Sequence, residues 1–401
     1  MTRLSRRLAW EEPENALSRL AAARRAAGAP LVDLTESNPT RVGLAYPTAE
    51  IRAALGDPAV GRYEPAARGL AAAREAVAAE YARRGAPVSR GAIVLTAGSS
   101  ESYGFLLKLL CDPGDTLLVP EPSYPLFDYL ARLEGVVPRG YRLEPEGGGW
   151  RIDFGSLAAA AREGPPRAVV VVSPNNPTGS VLAAADLDRL LAFCAERDCA
   201  LVADEVFADY TREDATDRVT AVLARSLPAT TFSLGGLSKS CGLPQLKLGW
   251  IAAGGPGPAA AAALAGLELI ADSYLSVATP VQLALPRLLE VGAGIRRQIR
   301  ERIAGNRATL ARAIGPGSPC TLLPSDGGWS AIVRVPATRS DEEWALALLR
   351  EDGLLVHPGY FFDMPSGAYL VLSLLPELSR FAEALARLLA RVTGAGIEGT
   401  A

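Results

Sequence analysis

The chain has 401 residues, 49% of them hydrophobic and 21% charged, with Lys+Arg 41 against Asp+Glu 44 and a formal net charge of -3. That length and balance exclude a small binding module and a mainly disordered chain, and allow one large domain plus a smaller one. The near-neutral charge leaves no footprint for nucleic acid or an anionic membrane, and no apolar run has the length of a membrane span. The start, Met1-Thr-Arg-Leu-Ser-Arg-Arg, is followed by no apolar signal region, so the expectation is a cytoplasmic protein with neither nucleic acid nor membrane as partner.

Strand and helix signals alternate along the chain. The segment to about residue 29 is Ala-rich with helical spacing, residues 31–34 are a short extended piece, and Glu36-Ser-Asn-Pro-Thr is a turn. A helix is predicted over 66–80, a strand over 93–96, and a helix over 99–110 whose apolar face carries Tyr103, Leu106, Leu107 and Leu110. Strands at 116–119, 168–172, 200–203, 230–234 and 250–253 and helices at 124–133 and 186–197 follow. The runs 158–161 and 259–263 of alanine read as helix formers. Short, continuously apolar strands between helices indicate a mostly parallel sheet covered on both faces. From about residue 281 the pattern changes to a long helix reaching 314, with Pro286 kinking or starting it. Extended pieces at 330–335 and 369–374 and helices at 341–351 and 377–392 complete an α+β unit. The expected division is 1–40 as an N-terminal segment packing on the small domain, 41–280 as the large domain and 281–401 as the small one.

Cysteine and histidine narrow the chemistry. Five cysteines without a Cys-x-x-Cys argue against a disulfide framework or structural zinc, and His357 alone rules out a site needing several imidazoles, so no metal is expected. Lysine is rarer still: only Lys108, Lys239 and Lys247 stand among 41 basic residues. Arginine cannot be deprotonated near neutral pH, so a lysine in such a chain is either incidental surface charge or an amine that chemistry requires.

Ligands of an open parallel sheet bind beyond the carboxyl ends of its strands. After the first strand stands Ala97-Gly98-Ser99-Ser100-Glu101, which is either an ordinary helix start or a phosphate cradle. Next comes Ser173-Pro-Asn-Asn176-Pro-Thr-Gly, then Asp204-Glu205, and then Gly235-Gly-Leu-Ser238-Lys239 leading to Lys247. A phosphate at a helix start, an acid for a pyridinium nitrogen, an amide for a phenolic oxygen and an amine for an aldehyde together describe pyridoxal phosphate. A dinucleotide fold would need G-x-G-x-x-G, and Gly98-Ser-Ser lacks that spacing.

The ordered set Tyr63, Gly98-Ser-Ser, Pro122-Ser-Tyr124-Pro, Asn176-Pro-Thr-Gly, Asp204-Glu-Val-Phe207 and Ser238-Lys239-x-x-Gly-Leu-Pro resembles the fold-type I, class I/II aminotransferases, over residues 31 to 389. The resemblance implies an α/β three-layer fold with a mainly parallel central sheet and a smaller α+β C-terminal domain. It implies pyridoxal 5'-phosphate as cofactor, an amino donor and a keto acceptor as substrates, and a homodimer with shared active sites. Lys239 would hold the cofactor as a Schiff base and later move the proton, Asp204 would keep the ring nitrogen protonated, Asn176 would bond the ring oxygen and Tyr124 would stack on the ring. Gly98, Ser99, Ser100 and Ser238 would cradle the phosphate, with Tyr63 reaching it from the other subunit.

Three departures from the family pattern stand out. Phe207 replaces a tyrosine that would donate to the ring oxygen. Lys247 replaces a phosphate-binding arginine, and Gly236 a serine, so charge remains but the bidentate fork does not. Val371 stands where the family has the arginine that holds the substrate carboxylate. Asn38 and Arg41, in the turn after residue 36, and Trp329, after Gly327-Gly, are the candidate substrate residues; Arg41 is either a stand-in cation or a surface charge. His357 is expected to be structural or at the rim. Transamination is therefore the leading reading. Other chemistry on the same cofactor (carbon–sulfur lyase, decarboxylase or cyclase) and a non-catalytic regulatory dimer are the alternatives.

Overall fold

The computed structural model describes residues 2, 4–8, 10, 14–146 and 148–394; residues 395–401, the end of the expected small domain, lie outside the described residues. Eight strands form the main sheet in the spatial order 93–96, 249–254, 231–236, 200–204, 166–172, 116–121, 137–146 and 149–152. From 231–236 to 137–146 neighbouring strands run parallel, while 249–254 is antiparallel to both its neighbours and 149–152 is antiparallel to 137–146.

Alternation along each strand divides the core between two faces. Val169, Val171, Leu201 and Ala203 point to one side, where helices Phe154–Glu163 and Ala184–Glu196 bring Leu157, Leu187, Leu190 and Leu191. Ala168, Val170, Val202 and Phe232 point to the other, against Phe105 and Leu106 of helix Ser99–Leu110 and Leu267 of helix Gly257–Tyr274. Every residue of strands Ala200–Asp204 and Thr231–Gly236 is buried, as their unbroken apolar runs predict.

A second sheet is antiparallel, in the order Thr321–Leu322, Ser330–Arg334, Tyr369–Ser373, His357–Pro358. Helices Asp341–Asp352 and Leu378–Thr393 contribute Trp344, Leu348, Phe381 and Leu385 to the core beneath it. Near the N-terminus, Val32–Asp33 pairs in parallel with Leu354–Leu355. Helix Thr279–Ala313 runs unbroken with Pro286 inside it; the proline of its first turn is Pro280.

Some boundaries differ from the sequence reading. The helix predicted over 66–80 is Ala71–Arg83, because Gly69, at φ +91°, first closes a turn by donating to the Ala66 carbonyl at 2.7 Å. A Cβ on Gly69 would stand 2.5 Å from the Leu95 side chain, so both the turn and the packing require glycine. The helix expected from residue 124 begins at Leu126, after Pro125. Helix Thr48–Leu55 and strands Val137–Glu146 and Gly149–Ile152 were not expected.

Behind the carboxyl ends of the central strands lies a buried ion pair. Glu205 accepts from Arg84 at 3.1 Å, from the Val222 N–H at 2.8 Å and from Ser233 Oγ at 2.5 Å, and Ser233 Oγ lies 2.7 Å from Tyr81 Oη. Replacing one partner leaves an uncompensated buried charge, which costs about 3–5 kcal/mol. Arg84→Met is therefore expected to lower unfolding free energy by about that amount in urea titrations. Arg84→Met with Glu205→Gln should recover part of the loss; an Arg84→Met protein as stable as wild type would refute the assignment.

Candidate active site

A cavity of about 620 Å³ opens beyond the carboxyl ends of the central strands. The main sheet and the segments that leave its strands supply Gly98, Ser99, Ser100, Asn176, Asp204 and Lys239 to its lining. The segment after strand Thr116–Glu121 brings Tyr124, and the turns after strands 200–204 and 231–236 bring Phe207, Ser238 and Lys247. Trp329, Ser330, His357 and Val371 close it from the second sheet.

Each polar residue is held by its local structure. Strand Ala200–Asp204 ends on Asp204, whose Oδ1 accepts from the Val206 N–H at 3.1 Å and whose Oδ2 accepts from Tyr103 Oη at 3.1 Å. Burial pushes this carboxyl up to about 6, against those two donors and the pull of Lys239. Lys239 lies in the short helix after the neighbouring strand, its main-chain carbonyl accepting from Tyr210 Oη at 2.7 Å. Its Nζ stands 5.0 Å from the ring centre of Trp329 and 5.5 Å from that of Phe207. Burial lowers the Lys239 pKa while Asp204 acts in the opposite sense, so the amine is drawn toward its neutral, nucleophilic form.

Helix Ser99–Leu110 aims its first N–H groups into the cavity. Gly98, at φ +148°, precedes it, and a Cβ on the facing Gly249 would meet Gly98 Cα at 2.9 Å, so two main chains touch where the helix begins. Glu101 folds back to accept from the Ala97 N–H at 2.6 Å and from Ser276 Oγ at 2.6 Å, leaving Ser99 and Ser100 at the mouth of the helix. Asn176 Oδ1 accepts from Ser330 Oγ at 3.2 Å. Trp329, buried and edge-on to Phe207 and Tyr210 at 5.3 and 5.1 Å, has no hydrogen-bond partner for its indole N–H.

The cavity thus gathers Gly98, Ser99, Ser100, Tyr124, Asn176, Asp204, Phe207, Ser238, Lys239, Lys247 and Trp329. Three sequence candidates lie elsewhere. Tyr63 is 72% exposed and outside the cavity of its own chain. Asn38 spends its side-chain oxygen capping its own turn, accepting from the Thr40 N–H at 3.0 Å, and Arg41 is exposed; neither lines the cavity, whereas Thr35 and Ser37 do. His357 does reach the cavity, opposite Val371 in the strand register, with its pKa lowered by burial and supported weakly by Asp33. Sequence reasoning missed Tyr103 as the donor to Asp204: spacing placed it on a buried face, and only the position of its helix beside the 200–204 strand gives that face a carboxylate.

These residues fit pyridoxal phosphate by their chemistry: a desolvated amine, a buried acid, a free helix start and a buried indole N–H without a partner. The family model described as aminotransferase class I and II matches residues 30–380. Alanine aminotransferase of Mycobacterium tuberculosis is 30% identical over 382 residues, 92% of this chain and 87% of that protein. Human tyrosine aminotransferase is 32% identical over 224 residues, 55% of this chain and 48% of that protein. Among solved structures, a Thermus thermophilus aspartate aminotransferase mutant superposes with a TM-score of 0.82 at 25% identity, covering 98% of this chain and 100% of its own. Alanine aminotransferase from Pyrococcus furiosus shares the fold with a TM-score of 0.86 at 22% identity, covering 98% and 100%.

The raised pKa of Asp204 carries a stability consequence. Between the ordinary carboxyl value of 3.8 and about 6, the folded cofactor-free protein keeps the group protonated while the unfolded chain ionises it. Folding is penalised increasingly over that window, and the penalty is constant above about 6. Asp204→Asn is therefore expected to leave the stability of the cofactor-free protein unchanged near pH 4 and to raise it by up to about 3 kcal/mol near pH 7.5. Denaturant titrations at the two pH values check this; equal effects at both would refute it.

Proposed function

We propose how the residues of this cavity divide the work, starting from what the family match makes plain: the chain belongs to the class I and II aminotransferases and is a pyridoxal phosphate-dependent transaminase. Its substrates are accordingly an amino compound and a keto compound. When bound, the cofactor supplies an aldehyde that condenses with amines and a ring that takes up the electron pair left when the substrate carbon loses its proton.

Lys239 is the amine that holds the cofactor, and once displaced by substrate it takes and returns the proton. Burial lowers its pKa, which favours the neutral amine that can act as a base. Asp204 would pair with the ring nitrogen, and a proton there would give the buried carboxylate a charge partner besides Lys239. Tyr103 holds that carboxylate in place. The Asn176 amide, oriented by Ser330, would bond the ring oxygen, and Tyr124 would cover one ring face. The start of helix Ser99–Leu110, with Ser99, Ser100, Ser238 and Lys247, takes the phosphate; Lys247 gives it a charge without a guanidinium fork. The observation that carries this reading is a desolvated Lys239, just beyond one strand, and a buried Asp204, at the end of the adjacent parallel strand, in one cavity with a helix start.

The working unit proposed is a cytoplasmic homodimer. Tyr63 stands free of its own cavity, and Leu269, Tyr274 and Leu275 project from helix Gly257–Tyr274 and the residue after it with 71%, 53% and 45% of their surface exposed. A second copy covering these side chains would bring Tyr63 to the phosphate of the neighbouring cavity. No helix among the described residues is long and apolar enough to cross a membrane. The proposed division of the chain remains 1–40, 41–280 and 281–401, with the first segment tied to the small domain through the pairing of Val32–Asp33 with Leu354–Leu355.

Borohydride treatment of the cofactor-loaded protein is expected to leave one covalent adduct, on the peptide containing Lys239, and Lys239→Ala to leave none. A peptide map with the adduct elsewhere would overturn the assignment. Phe207 supplies no donor to the ring oxygen, and a hydrogen bond to a charged acceptor contributes about 1.5–3 kcal/mol. Phe207→Tyr is therefore expected to lower the visible-wavelength titration midpoint of the loaded enzyme by about one pH unit or more; an unmoved midpoint would show that the ring oxygen lies out of reach of position 207.

A further inference from the structure

The end of the cavity farthest in chain order from the phosphate cradle is built by Val371, His357, Phe362, Trp329, Ser330 and Ser373. Its charge inventory is short. Among the described residues lining the cavity there is no arginine, and the basic groups are Lys239, Lys247 and His357. Lys239 and Lys247 are assigned to the cofactor, and burial keeps the His357 imidazole toward its neutral form. The segment packed against this wall brings acids instead. Asp33, paired with Arg25 at 3.1 Å, lies close enough to act on His357, and Glu36 follows in the stretch whose carbonyl accepts from Ser373.

Hydrogen-bond donors are equally scarce. Ser373 Oγ donates to the Glu36 carbonyl at 2.7 Å, Ser330 Oγ donates to Asn176 Oδ1 at 3.2 Å, and Ser123 Oγ donates to Asn175 Oδ1 at 3.0 Å. With those hydroxyl protons committed, and that of Thr35 given to Asp33 at 2.5 Å, the cavity retains neutral donors at this wall: one imidazole N–H, the indole N–H of Trp329 and the Ser37 hydroxyl, together with apolar surface from Val371 and Phe362. A carboxylate has about four acceptor sites, and burying it without a cation or sufficient donors costs several kcal/mol. A hydroxyl needs one donor and one acceptor, which a neutral imidazole supplies together.

We propose that the amino donor of this enzyme carries an uncharged substituent, and no carboxylate, on its amine-bearing carbon: the substrate class is amino alcohols and related neutral primary amines, with the wall of Val371, His357 and Phe362 receiving that substituent. This rests on the transaminase reading above and sharpens it. The aromatic lining of Tyr124, Phe127, Phe207 and Trp329 favours an apolar or aromatic side chain on the same carbon.

Matched pairs test it on the cofactor-loaded enzyme. Phenylalaninol and phenylalanine differ only in the group at issue, and bleaching of the cofactor's visible band follows each half-reaction. Calorimetric titration with 3-phenylpropan-1-ol and 3-phenylpropanoate reads the same preference without chemistry. The alcohol of each pair is expected to react or bind at least about tenfold better, since about 1.4 kcal/mol of uncompensated burial suffices for that ratio. Val371→Arg, by placing a guanidinium on the wall, should move the ratio toward the acids; if that variant does not fold, the wild-type pairs decide alone. An acid that binds or reacts as well as its alcohol overturns the substrate assignment and leaves the transaminase reading standing. Bleaching by no donor, with borohydride still marking Lys239, overturns the transaminase reading and the assignment with it.

Discussion

An amine and a carboxylate, each driven toward its uncharged form by burial, face one cavity from neighbouring parallel strands. Burial raises the Asp204 carboxyl to about 6 and lowers the Lys239 amine, and each acts as a counter-charge for the other. In the proposed reading a cationic cofactor ring would relieve both: its nitrogen would give Asp204 a positive partner, and its aldehyde would take the Lys239 amine out of its charged form. The architecture serves that pair. Strands must be apolar throughout to lie in a sheet covered on both faces, so charged residues can appear only where the strand stops, and the chain places Asp204 at the last position of one such run and Lys239 just beyond the next.

Immediately behind this pair, Glu205 shows the alternative fate of a buried carboxylate. It sits one residue further along, yet its three donors, Arg84, Ser233 and the Val222 N–H, satisfy it within the protein. Asp204 has two neutral donors and keeps a raised pKa. Adjacent acids in the sequence Asp204-Glu205 therefore take opposite roles: one is fixed as structure, and the other is left under-compensated on the cavity side. That difference is what makes the first available to a ligand.

How much of this could be read beforehand follows from which interactions are local. Residues at strand ends were legible because an apolar run of four to seven residues declares its own terminus, and the rarity of lysine made Lys239 and Lys247 conspicuous. Helix Ser99–Leu110 was legible to the residue for the same reason, its spacing and its Gly98 start being local signals. The penultimate strand Val137–Glu146 was not, because it carries Pro138, Gly140 and Pro145 and stays half exposed, which erases the apolar alternation that marks a strand. Tyr103 and Ser330 escaped for another reason. Their partners, Asp204 and Asn176, are about a hundred residues or more away, and a hydroxyl on an apolar face carries no sign of what it will meet.

The wall around Val371 belongs to the same class of long-range fact. Ser373 reaches the Glu36 carbonyl, and the neighbouring pair Val32–Asp33 runs beside Leu354–Leu355, so residues from both ends of the chain meet beside this wall of the cavity. One substitution, valine in place of a cation, does not define specificity, because a charge could come from any element packed there. The surroundings decide: the elements that meet at this wall bring Asp33, Glu36, a neutral imidazole and hydroxyls already committed elsewhere. In the proposed reading the residues assigned to the cofactor would meet its two charges, phosphate and pyridinium, and the wall around Val371 would select the amine by shape and by a single neutral hydrogen-bonding ring.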